Sequence, residues 1–225
     1  MTIARTRLGC LHMHHSNIPY IDAIVAPGQV ELLHFVDPGL MHRIGSDAGF
    51  DLGPAEQQVR RQLDWMAGCG LDAILITCTN YIAMLPEEPL DLTIPVIKID
   101  EPFFAHLLEQ SSPHLLVFTN PATVEGTMSR LQDYAKQRDQ QPDIAVEVIP
   151  GTFALVMVGK TEEYAAAVSD RLRELARSGN YETISVGQLS MADAGQRVAA
   201  ETGAAIGNPL EPLRDHLAKE LGSAA

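Results

Sequence analysis

Apolar residues in this chain come in short continuous runs rather than in strict alternation with polar ones. Such runs occupy residues 7–13, 30–36, 73–78 and 95–99, then 114–119, 144–149, 183–188 and 204–207, each followed by a polar or Gly/Pro turn. Runs of this length bounded by turn residues predict strands buried on both faces. Between them, residues 54–67, 123–138, 161–177 and 210–221 carry apolar side chains at helical spacing, with Pro54 and Thr161 placed as start signals. Strands alternating with helices predict an α/β fold of parallel sheets covered by helices, with ligands bound outside the carboxyl ends of the strands.

The eight runs fall into two sets of four. We therefore expect two similar lobes, each a four-stranded parallel sheet flanked by helices, with the active site in the interlobe cleft. The first lobe is expected over residues 1–102 and the second over 103–209, with the C-terminal helix 210–225 packing back on the first. A short helical stretch and then Ser111-Ser112-Pro113 mark the crossing between them. The repetition is one of element order; no strong sequence repeat accompanies it.

Composition narrows the function classes. At 225 residues, with 46% hydrophobic and 20% charged residues, the chain has enough apolar surface to fold alone. Sixteen Lys and Arg stand against 29 Asp and Glu, a net charge of -13. That field repels phosphate backbones and anionic lipids, so neither nucleic acid nor a membrane surface is an expected partner. No stretch approaches the ~20 apolar residues that span a bilayer, and a cytoplasmic location is expected. Cys10, Cys69 and Cys78 make an odd count without CxxC spacing. Reduced thiols fit that pattern better than a disulfide framework or a zinc knuckle.

Candidate chemistry lies where strands end. Ile76-Thr77-Cys78-Thr79-Asn80 closes an apolar strand on a thiol followed by two hydrogen-bonding side chains. A thiol there, facing a helix start, is expected to have a lowered pKa and to serve as base or nucleophile. The same position suits a buried structural cysteine, the role expected of Cys10 and Cys69. Gly187-Gln188-Leu189-Ser190-Met191-Ala192-Asp193 follows the corresponding strand of the second set, where Ser190 could cap the next helix or bind a ligand. His12-Met13-His14-His15-Ser16-Asn17 ends the first strand, with His12 and His14 expected on one face. An HxH pair on a strand also suits a metal hydrolase, but no further ligand cluster such as HExxH accompanies it, and no metal is expected. His34, with Asp37 nearby, reads as packing or strand-end solvation. There is no GxGxxG after the first strand, no P-loop and no GxSxG elbow, and no cofactor is expected.

The strand-CT segment of the first half and the strand-GQLSMAD segment of the second resemble the two signature loops of the aspartate/glutamate/hydantoin racemase superfamily. Residues 11–17, 97–101, Thr119-Asn120-Pro121-Ala122-Thr123 and 151–161 follow in the matching order, so the likeness spans nearly the whole chain. The resemblance implies a cofactor-independent isomerase, a homodimer, that moves a proton at the α-carbon of a small carboxylic or amino acid between one cysteine from each lobe. Here Gln188 falls where the second cysteine would sit, and an amide cannot act as a base near neutral pH. Relatives with one cysteine include decarboxylases of malonate type. A decarboxylase, lyase or cis-trans isomerase using one thiol is thus an alternative, as is a non-catalytic ligand-binding homologue. The resemblance assigns proton transfer to Cys78, with His12 as a compensating base suited to pH 7. Binding of a small carboxylate-containing substrate falls to Ser16, Asn17, Thr79, Asn80, Thr119, Asn120, Thr123, Gln188 and Ser190.

Overall fold

The continuous apolar runs form two separate four-stranded sheets. The structure, a computed structural model, describes residues 5–25, 28, 30–47, 49–85, 90–110 and 112–222. The first half contains β1 (Thr6–His12), α1 (Ile18–Ile24), β2 (Val30–Val36), α2 (Gly39–Ser46), α3 (Leu52–Ala67), β3 (Ala73–Ile76), α4 (Thr79–Ala83) and β4 (Val96–Lys98). The second contains α5 (Asp100–Leu108), β5 (His114–Phe118), α6 (Val124–Lys136), β6 (Ile144–Val148), α7 (Thr152–Met157), α8 (Thr161–Ser178), β7 (Thr183–Val186), α9 (Ala192–Thr202), β8 (Ile206–Gly207) and α10 (Leu210–Gly222). Strand order is β2-β1-β3-β4 in one sheet and β6-β5-β7-β8 in the other. Every pairing is parallel. The same order, second-first-third-fourth, is thus built twice, as the two sets of four runs predict. Contacts divide the chain into Asp100–Leu213 and a unit comprising the residues up to Ile99 with those from Arg214 on.

Burial follows strand position. The central strands β3, β5 and β7 are buried along their whole length, and β1 from Leu8 onward, whereas the edge strands β2 and β6 are half exposed. In the second unit alternate side chains of β5 serve two cores. Leu115 and Val117 pack with Tyr164, Val168 and Leu172 of α8 and Val198 of α9, whereas Leu116 and Phe118 pack with Phe103 and Phe104 of α5 and Leu131 of α6. This is a parallel sheet covered on both faces, which is why its strands read as unbroken apolar runs. The α5 and α6 helices are also tied by a forked ion pair. Arg130 Nε and Nη2 donate to Asp100 at 2.7 and 3.1 Å, giving the 3% exposed carboxylate its counter-charge.

Helix starts differ from expectation where a cap outweighs a proline. Asp51 accepts from the Gly53 backbone N–H and begins α3 before Pro54 is reached. Thr161 does open α8. The strands themselves end earlier than their apolar runs: β1 stops at His12, β3 at Ile76 and β7 at Val186. The residues just beyond these ends carry the candidate chemistry. Among the described residues no helix is long and apolar enough to cross a membrane.

Candidate active site

In the first unit the candidate residues gather on Thr77, between the end of β3 and Cys78. Thr77 Oγ1 lies 2.8 Å from His12 Nδ1, donates to the Leu11 carbonyl at 3.1 Å, and receives Asn17 Nδ2 at 3.4 Å. The end of β1, the turn after it and the end of β3 are therefore joined by one hydroxyl. Ser16 lies apart from this cluster: it is exposed, and its hydroxyl meets His14 Nδ1 at 2.9 Å. His14 falls outside β1 and caps a short 3-10 turn, His15–Asn17, so it does not share a strand face with His12 as expected.

Cys78 occupies the cap position of α4 in extended backbone (φ -121°, ψ 118°) and is 8% exposed. Its Sγ lies 4.0 Å from Met13 Sδ. Burial pushes the thiol pKa above the ordinary 9.0, while main-chain hydrogen bonds from Tyr81 and Asn80 pull the other way without prevailing. The expected lowering is thus reversed: removal from water disfavours the thiolate more than these N–H groups favour it. At neutral pH the group is a thiol. Thr79 and Asn80 follow it half-buried on α4. Cys10 is fully buried, as expected, but Cys69 is only half-buried, its thiol donating to the Trp65 carbonyl at 3.3 Å.

His12 is 0% exposed, and both ring nitrogens are engaged. Its Nε2 lies 2.9 Å from His34 Nδ1, and His34 Nε2 lies 3.0 Å from Asp22 Oδ1. Burial, followed by the neighbouring His34, lowers the His12 pKa to about 4, with Asp22 opposing. His34 is therefore neither strand-end solvation nor a companion of Asp37. Asp37 instead accepts from Gln62 and from the Gly39 N–H. Sequence reasoning missed this Asp22–His34–His12 row because it depends on pairing β1 with β2. The signal was the parallel register that sets Cys10 beside His34, with His12 two residues further along the same face.

In the second unit Gln188 is the focus. Its side-chain oxygen accepts from the Thr119 backbone N–H at 2.7 Å, the Asn120 backbone N–H at 2.9 Å and Thr119 Oγ1 at 2.8 Å. Thr119 has one hydroxyl proton, so the remaining directions follow: Tyr164 donates to Thr119 at 3.1 Å, and Ser190 donates to Tyr164 at 2.7 Å. Ser190 thus belongs to a chain ending on Gln188 and does not cap α9, whose cap position is Met191. Asn120 Oδ1 caps the turn Pro121–Thr123 through the Ala122 N–H at 3.1 Å, and Thr123 Oγ1 donates to the Asn120 carbonyl at 2.9 Å. Tyr164 was not foreseen. It sits on the core face of α8, where an aromatic residue reads as packing, and burial raises its pKa against the opposing hydrogen bond from Ser190.

No protein-family model and no curated protein matches the sequence. Solved structures match it in fold. A glutamate racemase isoform from Bacillus anthracis superposes with a TM-score of 0.70 at 16% identity, covering 98% of this chain and 83% of that one. The aspartate racemase of Picrophilus torridus gives 0.70 at 13% identity, covering 96% and 94%, and an allantoin racemase from Klebsiella pneumoniae 0.64 at 18% identity, covering 97% and 89%. At these identities the likeness is one of fold, and it extends over essentially the whole chain.

Proposed function

We propose that the chain is a member of the aspartate/glutamate/hydantoin racemase superfamily, an isomerase that moves a proton at the α-carbon of a small carboxylic or amino acid without a cofactor. The reading carries with it a homodimer in the cytoplasm. Its main support is Cys78, a thiol at the carboxyl end of a central parallel strand with main-chain N–H groups from Tyr81 and Asn80 directed at its sulfur. This is where an open α/β sheet binds ligands. The likeness in fold to enzymes named as racemases of glutamate, aspartate and allantoin agrees with it.

In this reading Cys78 is the group that exchanges a proton with the substrate. As a thiolate it takes the α-proton, leaving an enediolate, and as the resulting thiol it returns a proton to the same carbon. The side chains of Thr79 and Asn80 hold the carboxylate, whose charge grows on enolisation. His12, buried and engaged at both nitrogens, is a positioning residue that holds Thr77 and so the segment entering Cys78. Gln188 supplies no second thiol, and its oxygen is already held by three donors. Return of the proton from Cys78 alone exchanges it without isomerisation, so inversion at the α-carbon requires a donor other than Gln188, such as water, on the opposite face of the enediolate.

Proton NMR in deuterated water on aspartate, glutamate, hydantoins, malonates and maleate tests this. Wild type should place deuterium at the α-carbon of a panel member, and Cys78→Ser should lose the exchange by at least a hundredfold while Cys69→Ser keeps it. Exchange equal in Cys78→Ser and wild type would remove Cys78 from the mechanism. The pH profile separates the two uses of the thiol. Proton abstraction needs the thiolate, so its rate should climb as pH rises toward a pKa above 9.0. Protonation after loss of carbon dioxide needs the thiol, so that rate should stay level at neutral pH and fall in the same alkaline range.

A further inference from the structure

A cluster separate from Cys78 lies deeper in the first sheet. Cys10 Sγ and one nitrogen each of His12 and His34 lie within 4.8 Å of one another. Cys10 and His34 are direct partners across the β1–β2 pairing, and His12 follows on the same face. The Thr77 hydrogen bond to the Leu11 carbonyl sets one consistent pair of ring tautomers. Thr77 spends its single hydroxyl proton on the Leu11 carbonyl, so it accepts from His12 Nδ1–H. His34 Nε2–H donates to the Asp22 carboxylate. His12 Nε2 and His34 Nδ1 are then both lone pairs, facing each other 2.9 Å apart. Two lone pairs at that distance call for a cation between them.

We propose that Cys10 Sγ, His12 Nε2 and His34 Nδ1 form a binding site for a divalent transition metal of the zinc class. One thiolate and two imidazoles are the borderline-soft donor set that zinc takes. Each imidazole already has its other N–H directed at an oxygen, Thr77 Oγ1 and Asp22 Oδ1, which is the outer arrangement that orients metal-bound histidines. Zn–N bonds of about 2.0–2.1 Å in a tetrahedron set the two nitrogens roughly 3.3 Å apart. The rings therefore need open by only a few tenths of an ångström from 2.9 Å. The charges balance as well: a dication meets the Cys10 thiolate and the Asp22 carboxylate. On binding, the Cys10 S–H bond breaks, a Zn–S bond forms and one proton passes to the buffer, with no change of oxidation state. Three protein ligands leave the fourth position of a tetrahedron for an added ligand such as water.

The experiment is titration of Co(II), and then Zn(II) in competition, into the reduced, metal-stripped full chain. One equivalent of Co(II) should give a thiolate-to-cobalt charge-transfer band in the near ultraviolet that Zn(II) abolishes, with one proton released per zinc. Cys10→Ser should lose the band. His34→Gln should weaken binding at least tenfold, and Asp22→Asn by about 10–100-fold as an outer-shell change. Cys69→Ser and Cys78→Ser should leave binding unchanged. His34 lies partly at the surface, so His34→Gln gives the answer even if Cys10→Ser fails to fold by circular dichroism. No saturable band, a band that survives both Cys10→Ser and His34→Gln, or one that disappears with Cys69→Ser or Cys78→Ser would overturn the site. A Thr77 hydroxyl turned instead toward His12 makes a metal-free row of hydrogen bonds and predicts the first of these results.

Discussion

At Gln188 one oxygen receives three donors, two of them backbone N–H groups at the carboxyl end of β5. A nest of this kind is suited to an anion, and here an uncharged side chain of the same unit fills it. Its contribution can be read from two substitutions. Gln188→Leu keeps the approximate size and removes the acceptor, leaving the Thr119 and Asn120 N–H groups without their partner. Since an unmet buried donor costs roughly 1–3 kcal/mol, urea denaturation should show a loss of that order. Gln188→Glu restores an acceptor and adds charge toward the N–H groups, so it should recover most of the loss at pH 7. Two variants of equal stability would mean that solvent satisfies these donors unaided. The sequence made Gln188 conspicuous by its place in the GQLSMAD segment, but only the fold reveals that it is held rather than free. Cys78 is the complementary case. Its position at a strand end was legible, whereas its raised pKa depends on how completely the surrounding chain excludes water, which no local motif encodes.

Among the secondary-structure elements, β1 and β3 are joined beyond their backbone ladder by Thr77. The hydroxyl meets His12 Nδ1, Asn17 Nδ2 and the Leu11 carbonyl, so it adds the turn after β1 to two strands that the backbone ladder already pairs. Thr77→Val preserves shape and deletes the oxygen, leaving a fully buried imidazole without one of its two partners. We expect a loss of about 1–3 kcal/mol in urea denaturation together with a reduced turnover number. Thr77→Ser, which retains the hydroxyl, should restore turnover even where the lost methyl still lowers stability. If Thr77→Ser were as impaired in turnover as Thr77→Val, packing and not hydrogen bonding would be the function of the residue. The strands themselves were legible because a parallel sheet buried on both faces leaves its mark as unbroken apolar runs. Contacts such as His12 with His34 were not, because they need the pairing of strands about twenty residues apart. Tyr164 escaped for a related reason: a tyrosine on the core face of an amphipathic helix looks the same whether or not its hydroxyl joins a network.

For the whole molecule the ruling feature is charge. The 29 carboxylates exceed the 16 cations, leaving -13. Several cations are already engaged in close pairs, such as Arg171 with Glu147 at 2.6 Å, Arg173 with Glu201 at 2.7 Å and Arg130 with Asp100 at 2.7 Å. Salt acts on both populations. It weakens exposed pairs, each worth about 0–1 kcal/mol, and it also screens the repulsion among the surplus carboxylates, which acts over many more separations. The Debye length falls from about 30 Å at 0.01 M to about 8 Å at 0.15 M, which spans the distances between charges across a protein of this size. Repulsion should therefore be the larger loss at low salt. A gain of about 1 kcal/mol at the higher concentration corresponds to a rise in melting temperature of roughly 2–4 °C for a chain of this length. Differential scanning calorimetry across that range of sodium chloride measures it directly. A melting temperature that falls as salt is added would mean that the ion pairs, with the forked Arg130–Asp100 pair least open to screening, outweigh the surplus charge and hold more of the stability than their number suggests.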